Sequence, residues 1–304
     1  MSSPQSSSIN TRKVAIFLGL AFFFALVIGS IPVLLGEQWA GNVAVIVGVF
    51  YMLFPALIAI FVQKVLYHEP VMEPLKVSFR LNRWFLWAWI LPVILALVAI
   101  LVAVLFPGVS YSPDMAGMLE RYRDIMTPEQ LAEMERSIQQ MPIHPLFLTI
   151  VQGMIAGITV NALAAFGEEL GWRGFLLREF NALGFARASL FIGIIWGVWH
   201  APLILQGHNY PQHPVAGVFL MILFCLLLTP LINFITLKAR SVIAAAVWHG
   251  TLNGTAGIGI MMVSGGSDLT IGITGAAGLI TLLIANVILY FATRGYRSIE
   301  YEYD

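Results

Sequence analysis

Long apolar runs, about eight of them and each about 20 residues or longer, constrain the fold of this sequence more than any other feature. A helix of that length matches the roughly 30 Å hydrocarbon core of a bilayer. Within lipid every backbone polar group needs an internal partner, which a helix supplies within one segment. The pattern therefore predicts an all-α, polytopic membrane protein with about eight transmembrane helices.

The first run lacks a small-residue cleavage site, so it is predicted to be a transmembrane helix and not a removable signal peptide. Residues 1–13 are predicted to form a disordered cytoplasmic tail, because the segment is Ser-rich and polar. Residues 14–304 are predicted to form a single transmembrane domain. The runs cover about 14–35, 41–66, 84–106, 145–180, 186–205, 215–237, 241–263 and 271–293.

Composition agrees with this class, because 59% of the residues are hydrophobic and only 11% are charged, whereas soluble domains carry about a quarter charged residues. The formal net charge is zero, so the lipid bilayer is a predicted partner and nucleic acid is not. The single cysteine, Cys225, excludes an intramolecular disulfide and a paired-cysteine metal site.

Basic residues predict the orientation, since cytoplasmic loops are enriched in Lys and Arg. With eight spans, the basic groups fall on one side of the membrane, and both termini are predicted to be cytoplasmic. The groups are Arg12 with Lys13; Lys64, Lys76, Arg80 and Arg83; Arg173, Arg178 and Arg187; Lys238 with Arg240; and Arg294 with Arg297.

Residues 107–144 interrupt the apolar pattern and are predicted to form an extracytoplasmic loop that is net acidic and includes Asp124. Thr127 as N-cap and Pro128 at the first position indicate the start of a helix. Its apolar residues share one face, which predicts an amphipathic helix lying on the membrane surface. They are Leu131, Met134 and Ile138. A role in gating a substrate has no support in the sequence.

The fourth run is about 36 residues long, or roughly 54 Å as one helix, so it must protrude, tilt strongly or break. Its excess length holds Glu168, Glu169 and Arg173. Ionisable residues within a membrane segment are candidates for a functional site. Glu169 and Arg173 are four residues apart and are predicted to pair, whereas Glu168 points about 100° away and is left for another partner.

Further polar residues lie on two other spans. His200 is in the fifth run, and His249 in the seventh shares a helix face with Asn253, four residues later. Three asparagines are predicted to make structural hydrogen bonds between helices. They are Asn161, Asn233 and Asn286.

Glycine pairs at four-residue spacing occur on these same spans and let helix backbones approach closely, which predicts that the polar groups converge on one site. The pairs are Gly153 with Gly157, Gly167 with Gly171, Gly193 with Gly197, and Gly250 with Gly254. Gly167, Gly171 and Gly174 are expected to form the packing surface that brings the two histidines within reach of the glutamates.

These residue types indicate hydrolysis of an amide without a covalent intermediate. A carboxylate and a histidine can jointly hold and deprotonate a water, while a second histidine and an amide can donate hydrogen bonds to the oxyanion. No serine nucleophile motif is present, and Cys225 is expected to lack a nearby base. A zinc hydrolase is the competing interpretation, although a His-Glu-x-x-His motif is absent.

At these residues the sequence resembles the CPBP family of intramembrane glutamic endopeptidases, typified by the type II CaaX prenyl endopeptidases and the bacterial Abi proteins. The resemblance covers about residues 145–255, the predicted catalytic core. The matching motifs are Glu-Glu-x-x-x-Arg at Glu168, Glu169 and Arg173; Phe-x-x-x-His at His200, with Trp196 in place of Phe; and His-x-x-x-Asn at His249 and Asn253.

The resemblance implies eight helices around an intramembrane cavity open to the cytosol, in a plasma membrane of bacterial type. It implies a membrane endopeptidase that acts on a membrane-anchored protein or peptide and uses neither a cofactor nor a metal ion. The implied roles are water activation by Glu168 with His200, oxyanion binding by His249 with Asn253, and support by Glu169 with Arg173.

Two other functions stay open. One is a non-catalytic membrane partner or bacteriocin-immunity protein of the same fold. The other is a transporter with a glutamate as its proton site, although no inverted repeat is seen. Counted from the cytoplasmic side, His249 lies roughly 12 Å deep and His200 roughly 21 Å, with Glu168 nearer the surface. The three can meet only if the fourth span is tilted or sunk, or if the membrane thins there.

Overall fold

Apolar helices make up most of the computed structural model, which describes residues 8–37, 39, 41–123, 126–296 and 299. The protein is therefore an all-α, polytopic, integral membrane protein, as predicted. The first helices are α1 (Thr11–Gly29), α2 (Ile31–Leu34), α3 (Gly41–Ile60), α4 (Arg83–Ala103), α5 (Ala116–Tyr122), α6 (Pro128–Gln139), α7 (Pro145–Gly157) and α8 (Val160–Glu169). The others are α9 (Leu177–Glu179), α10 (Gly184–Trp199), α11 (Ala201–Ile204), α12 (Pro214–Ala239), α13 (Val242–Thr255), α14 (Ile258–Met261) and α15 (Ala276–Ala292).

Short irregular segments complete the architecture. π-Helical turns at Phe61–Leu66 and Leu170–Leu176 extend α3 and α8, and a 3-10 turn at Asn181–Leu183 precedes α10. β1 (Ser110–Tyr111) pairs antiparallel with β2 (Val263–Ser264), with Ser110 opposite Ser264.

Within the described residues, five helical stretches are long and apolar enough to cross a membrane, or six if the bent pair of α7 and α8–α9 is one span. The predicted count of eight is not confirmed. The seventh and eighth runs correspond to α13, of 14 residues, and α15, of 17 residues. The long stretches are Thr11–Leu34, Gly41–Leu66, Arg83–Ala103, Asn181–Ile204 and Pro214–Ala239.

The fourth run breaks, which was one of the three outcomes its length allowed. Pro145–Gly157 and Val160–Glu179 meet at an angle of 53°. The backbone leaves the helical conformation between them, since Thr159 has φ −123° and ψ −107°. This bend changes the direction of the segment that carries both glutamates.

The start of α1 corrects the predicted tail, because Thr11, Arg12 and Lys13 already belong to the helix. The side chain of Asn10 caps it by accepting a hydrogen bond from the Lys13 backbone at 3.0 Å. Residues 1–7 of the predicted tail lie outside the described residues.

Lys13 is only 1% exposed and organises one end of the helix bundle, here called the Lys13 end. Its ammonium donates to Gln63 at 2.8 Å and to Glu69 and Glu179 at 2.9 Å each. Arg178 also pairs with Glu69, at 3.1 Å. Because Lys13 and its three partners come from separate segments, the network joins the ends of α1, α3 and α9.

Other contacts extend the Lys13 end to the remaining basic regions. Val242 N–H donates to the Lys76 carbonyl at 2.9 Å, and Phe185 packs on Tyr296 with ring centroids 5.0 Å apart. The regions predicted to share one side of the membrane therefore lie together, except that Arg297 is outside the described residues.

The opposite end, here called the Trp39 end, is formed by the other loops. Trp39 donates to His208 at 3.2 Å, and the Tyr210 hydroxyl donates to the Thr274 carbonyl at 2.8 Å. Arg121 joins α5 to this end by donating a hydrogen bond to the Gly265 carbonyl at 2.7 Å.

Helix α6 begins where predicted. The Thr127 hydroxyl accepts from Gln130 N–H at 3.3 Å, and the Gln130 side chain accepts from Thr127 N–H at 2.9 Å. None of its described residues is buried, so α6 lies on the surface of the protein. Asp124 of the same loop lies outside the described residues.

The glycine pairs mark close helix approaches, but not all between the predicted partners. A Cβ on Gly153 would lie 2.4 Å from the Gly254 carbonyl oxygen, so α7 and α13 pack backbone to backbone. Gly167 and Gly171 instead face Met52 and Pro55 of α3. The expectation that these last two glycines bring the histidines near is therefore wrong, since their faces contact another helix.

The three predicted structural asparagines each bond to another helix. Asn161 donates to the Gly250 carbonyl at 3.2 Å and Asn233 to the Ser189 hydroxyl at 3.0 Å. Asn286 donates to the Leu227 carbonyl at 2.7 Å.

Candidate active site

Glu169 links the fourth span to α13 in the interior of the bundle. Its Oε1 accepts from Arg173 at 3.1 Å and lies 2.7 Å from Nδ1 of His249. Glu169 and Arg173 are 0% exposed and His249 is 5% exposed. The predicted Glu169–Arg173 pair is confirmed, and His249 is a second partner that the sequence did not predict.

Glu168 faces a different partner, as its position on the helix predicted. The indole N–H of Trp196 donates to its Oε2 at 2.6 Å. The same indole ring contacts His249, the partner of Glu169, with ring centroids 5.5 Å apart. Both glutamates are thus directed into one buried site, but with different immediate partners.

His200 directly follows α10 and lies four residues after Trp196. Its Nδ1 lies 2.8 Å from the Trp196 carbonyl oxygen, which can only accept, so Nδ1 carries the proton. In a neutral imidazole this leaves the lone pair on Nε2. His200 therefore has the tautomer of a proton acceptor, although its Nδ1 is held by Trp196 and not by Glu168.

Asn253 lies one turn beyond His249 and is exposed. Its amide is therefore accessible, while the His249 ring is held by Glu169. The shared helix face predicted for the two residues is consistent with helix α13, which contains both.

Cys225 lies closer to a histidine than expected. Its Sγ is 3.9 Å from Nδ1 of His200, which corrects the prediction that no base is nearby. This nitrogen already donates to a carbonyl, however, so it has no lone pair to accept the thiol proton. Cys225 is also buried and contacts the sulfur of Met221 at 3.7 Å. The geometry does not provide an activated thiol.

Trp196 is the site residue whose importance the sequence did not predict. Besides its bond to Glu168, its ring lies 4.2 Å from the Arg173 guanidinium carbon. Its centroid is 5.5 Å from that of His249. The signal was present in the motif, where Trp replaces the usual Phe, but spacing alone could not show that the N–H meets a carboxylate.

The charged groups of the site stabilise one another. Two carboxylates and one guanidinium lie in the buried interior, where an unpaired charge is strongly unfavourable. Protonation of His249 would balance the second carboxylate. Within the described residues, no group of three or more His, Cys, Asp or Glu side chains is placed to hold a metal ion.

Taken together, the fold and the site define a polytopic α-helical membrane protein with a buried carboxylate–histidine centre. Residues 140–255 match the model of the family described as type II CAAX prenyl endopeptidase Rce1-like. This segment contains every motif residue identified in the sequence, so the likeness to this family lies in the part of the chain that forms the site.

The chain is also similar to a named protein over part of its length. Over 98 residues the chain is 35% identical to "CAAX prenyl protease 2" of Methanococcus maripaludis. The aligned part covers 30% of this chain and 36% of the relative. The chain thus matches about a third of that protein's length.

Proposed function

We propose that this protein is an intramembrane endopeptidase of the glutamic type, which hydrolyses a peptide bond of a membrane-anchored protein or peptide. The observation that carries the proposal is the convergence of Glu168, Glu169, Arg173 and His249 in one buried site, where Trp196 contacts Glu168, Arg173 and His249. Burying these charges is unfavourable for a scaffold, so a reaction is the better explanation for them.

Glu168, with His200, activates the water in this proposal. Its Oε2 accepts from Trp196, which leaves Oε1 to accept a proton from a water. The Nε2 lone pair of His200 is a second acceptor. Proton removal by groups of this kind typically contributes about 10²–10⁴-fold to a rate.

His249 and Asn253 bind the oxyanion. With Nδ1 donating to Glu169, a protonated His249 presents its Nε2–H as a donor, and Asn253 adds an amide one turn away. Donors placed in advance at a developing oxyanion are the largest electrostatic contribution in many hydrolases. Glu169 and Arg173 support the site by holding His249 in place.

The proposal extends to the location of the site. The Lys13 end faces the cytoplasm, both termini lie on that side, and α13 and α15 complete eight spans around a cavity open to the cytosol in a plasma membrane of bacterial type. The clustering of basic regions at the Lys13 end supports this orientation.

Cleavage of a membrane-anchored peptide by the full chain in liposomes tests the function. We expect the wild-type protein to cleave, and Glu168→Ala and His249→Ala to lose at least about 10²-fold in rate after a folding check by size exclusion. Cys225→Ala, a change next to His200, is the matched control and keeps its rate. Retained cleavage in both site variants would overturn the proposal.

Two further experiments distinguish the proposed function from the alternatives. Cleavage that survives EDTA and 1,10-phenanthroline supports a metal-independent reaction, whereas loss that added zinc restores contradicts it. Comparative proteomics of membrane peptides, with wild-type protein and Glu168→Ala, identifies the substrate. A profile without any difference favours the non-catalytic partner or immunity function.

A further inference from the structure

Trp196 contacts four residues of the candidate site, Glu168, Arg173, His200 and His249. Its N–H donates to Glu168 at 2.6 Å, its carbonyl oxygen lies 2.8 Å from Nδ1 of His200, and its ring stacks beside Arg173 at 4.2 Å. It is 2% exposed, so these contacts are shielded from solvent. One side chain and its own backbone thus reach the two residues proposed to activate the water.

The bond from Trp196 to Glu168 is not a general consequence of burying tryptophans in this bundle. Trp172 and Trp248 are 0% and 2% exposed, yet their indole N–H groups have no hydrogen-bond partner among the described residues. Trp196 differs because its N–H points at a carboxylate oxygen. A charge-assisted bond of this length is among the strong ones in proteins.

We propose that Trp196 is the positioning residue of Glu168. Its N–H holds Oε2 and so directs Oε1 toward the water, while the Trp196 carbonyl fixes the tautomer of His200. The same residue therefore sets the geometry of both groups that remove the proton. This inference rests on the proposed peptidase function.

Trp196→Phe tests the inference because it keeps an aromatic ring and removes the donor. Trp172→Phe is the matched control, since it shrinks a buried indole whose N–H has no partner among the described residues. Benzothienylalanine at position 196, introduced by stop-codon suppression, keeps the two-ring shape and lacks the N–H. It serves if the smaller Phe variant does not fold.

Two readouts are measured on these proteins. In the liposome cleavage assay we expect kcat to fall about tenfold or more without the donor, with KM nearly unchanged, because a hydrogen bond to a charged group is lost. In infrared spectra, the carboxyl band that Glu168→Gln removes is expected to shift in the two 196 variants. Neither quantity changes in Trp172→Phe.

The infrared band is independent of activity and separates the two proposals. An unshifted Glu168 band in folded 196 variants overturns the positioning role, even if the protein is a peptidase. A shifted band together with an unchanged kcat also overturns it, because the bond then does not serve the reaction. Absence of cleavage by the wild-type protein overturns the peptidase function instead.

Discussion

Glu168 and Glu169 are adjacent in the chain but have different partners in the structure. The angle of about 100° between neighbouring helical residues predicted this divergence. It also predicted that Glu169 pairs with Arg173, which the 3.1 Å distance confirms. Two other contacts could not be predicted, because they depend on how separate helices are rotated about their axes. They are the bond of His249 to Glu169 and the bond of Trp196 to Glu168.

Glu169→Ala is expected to destabilise the protein by about 3–5 kcal/mol, because it leaves a buried guanidinium without its carboxylate. The measurement is the thermal unfolding temperature of the purified protein in detergent. Glu133→Ala, an exposed glutamate on α6, is the control. Adding Arg173→Met to Glu169→Ala is expected to recover part of the loss. Equal effects of Glu169→Ala and the control would contradict this prediction.

Among the elements, the fourth span departs most from a regular helix. It bends by 53° after Gly157 and becomes π-helical over Leu170–Leu176. The length of the run alone predicted that the span would protrude, tilt strongly or break. The π-helical turn was not predicted, since the sequence was interpreted with α-helical spacing; such turns are frequent at functional sites.

The break also resolves the expected difference in depth. Glu168 contacts Trp196 of α10, and Glu169 contacts His249 of α13. Residue counting along straight, upright helices placed these groups at different depths. Because the second half of the span runs at an angle to the first, counting residues along one straight helix does not give its depth.

Gly153→Ala is expected to lower the stability of the protein by about 1–3 kcal/mol, because the added methyl group would lie 2.4 Å from the Gly254 carbonyl oxygen. The resulting displacement of α13, which carries His249, is expected to reduce peptide cleavage. Unfolding temperature and cleavage rate are measured on the same preparation. Gly19→Ala in α1 is the control, since nothing lies within 4 Å of its Cβ. There the better helix propensity of Ala is expected to raise stability slightly. A similar gain in Gly153→Ala would show that the close approach is absent.

For the whole molecule, the two ends of the bundle differ in charge and in the loops they contain. The Lys13 end joins the basic regions, whereas the Trp39 end holds the 107–144 loop and its surface helix α6. The sequence predicted this division from the distribution of Lys and Arg.

The proposed orientation is checked in a protein whose only native cysteine, Cys225, has been replaced. Single cysteines are introduced into it and labelled in intact cells with a membrane-impermeant maleimide. Gln139→Cys on α6 is expected to react, and Arg80→Cys at the Lys13 end only after lysis, since both residues are exposed but on opposite ends. The reverse result would invert the proposed topology. Both cysteines are first shown to react in lysed cells.

The Trp39 end is also expected to weaken in acid. Burial lowers the pKa of His208 from 6.5 to about 4. As pH falls from about 6.5 to about 4, the unfolded chain binds a proton that the folded chain resists, so stability is lost over that window. The Trp39 N–H donates to Nδ1 of His208 and so disfavours a proton on that nitrogen.

His208→Phe keeps a ring beside Trp39 and removes the titration. The drop in unfolding temperature between pH 7 and pH 4.5 is therefore expected to be smaller in this variant than in the wild type. His144→Phe, at the start of α7, is the comparison for removing an exposed histidine. A wild-type pH dependence in His208→Phe would show that other groups cause the loss.

Two properties followed from the chain itself: the membrane class from the length of its apolar runs, and the set of polar residues from its motifs. Both depend on interactions between near neighbours or on composition. The tertiary structure decided which atoms meet. Trp196 lies 28 residues from Glu168, and His249 lies 80 residues from Glu169. Those contacts depend on the bend of one span and the close packing of α7 on α13, which spacing within a single helix does not encode.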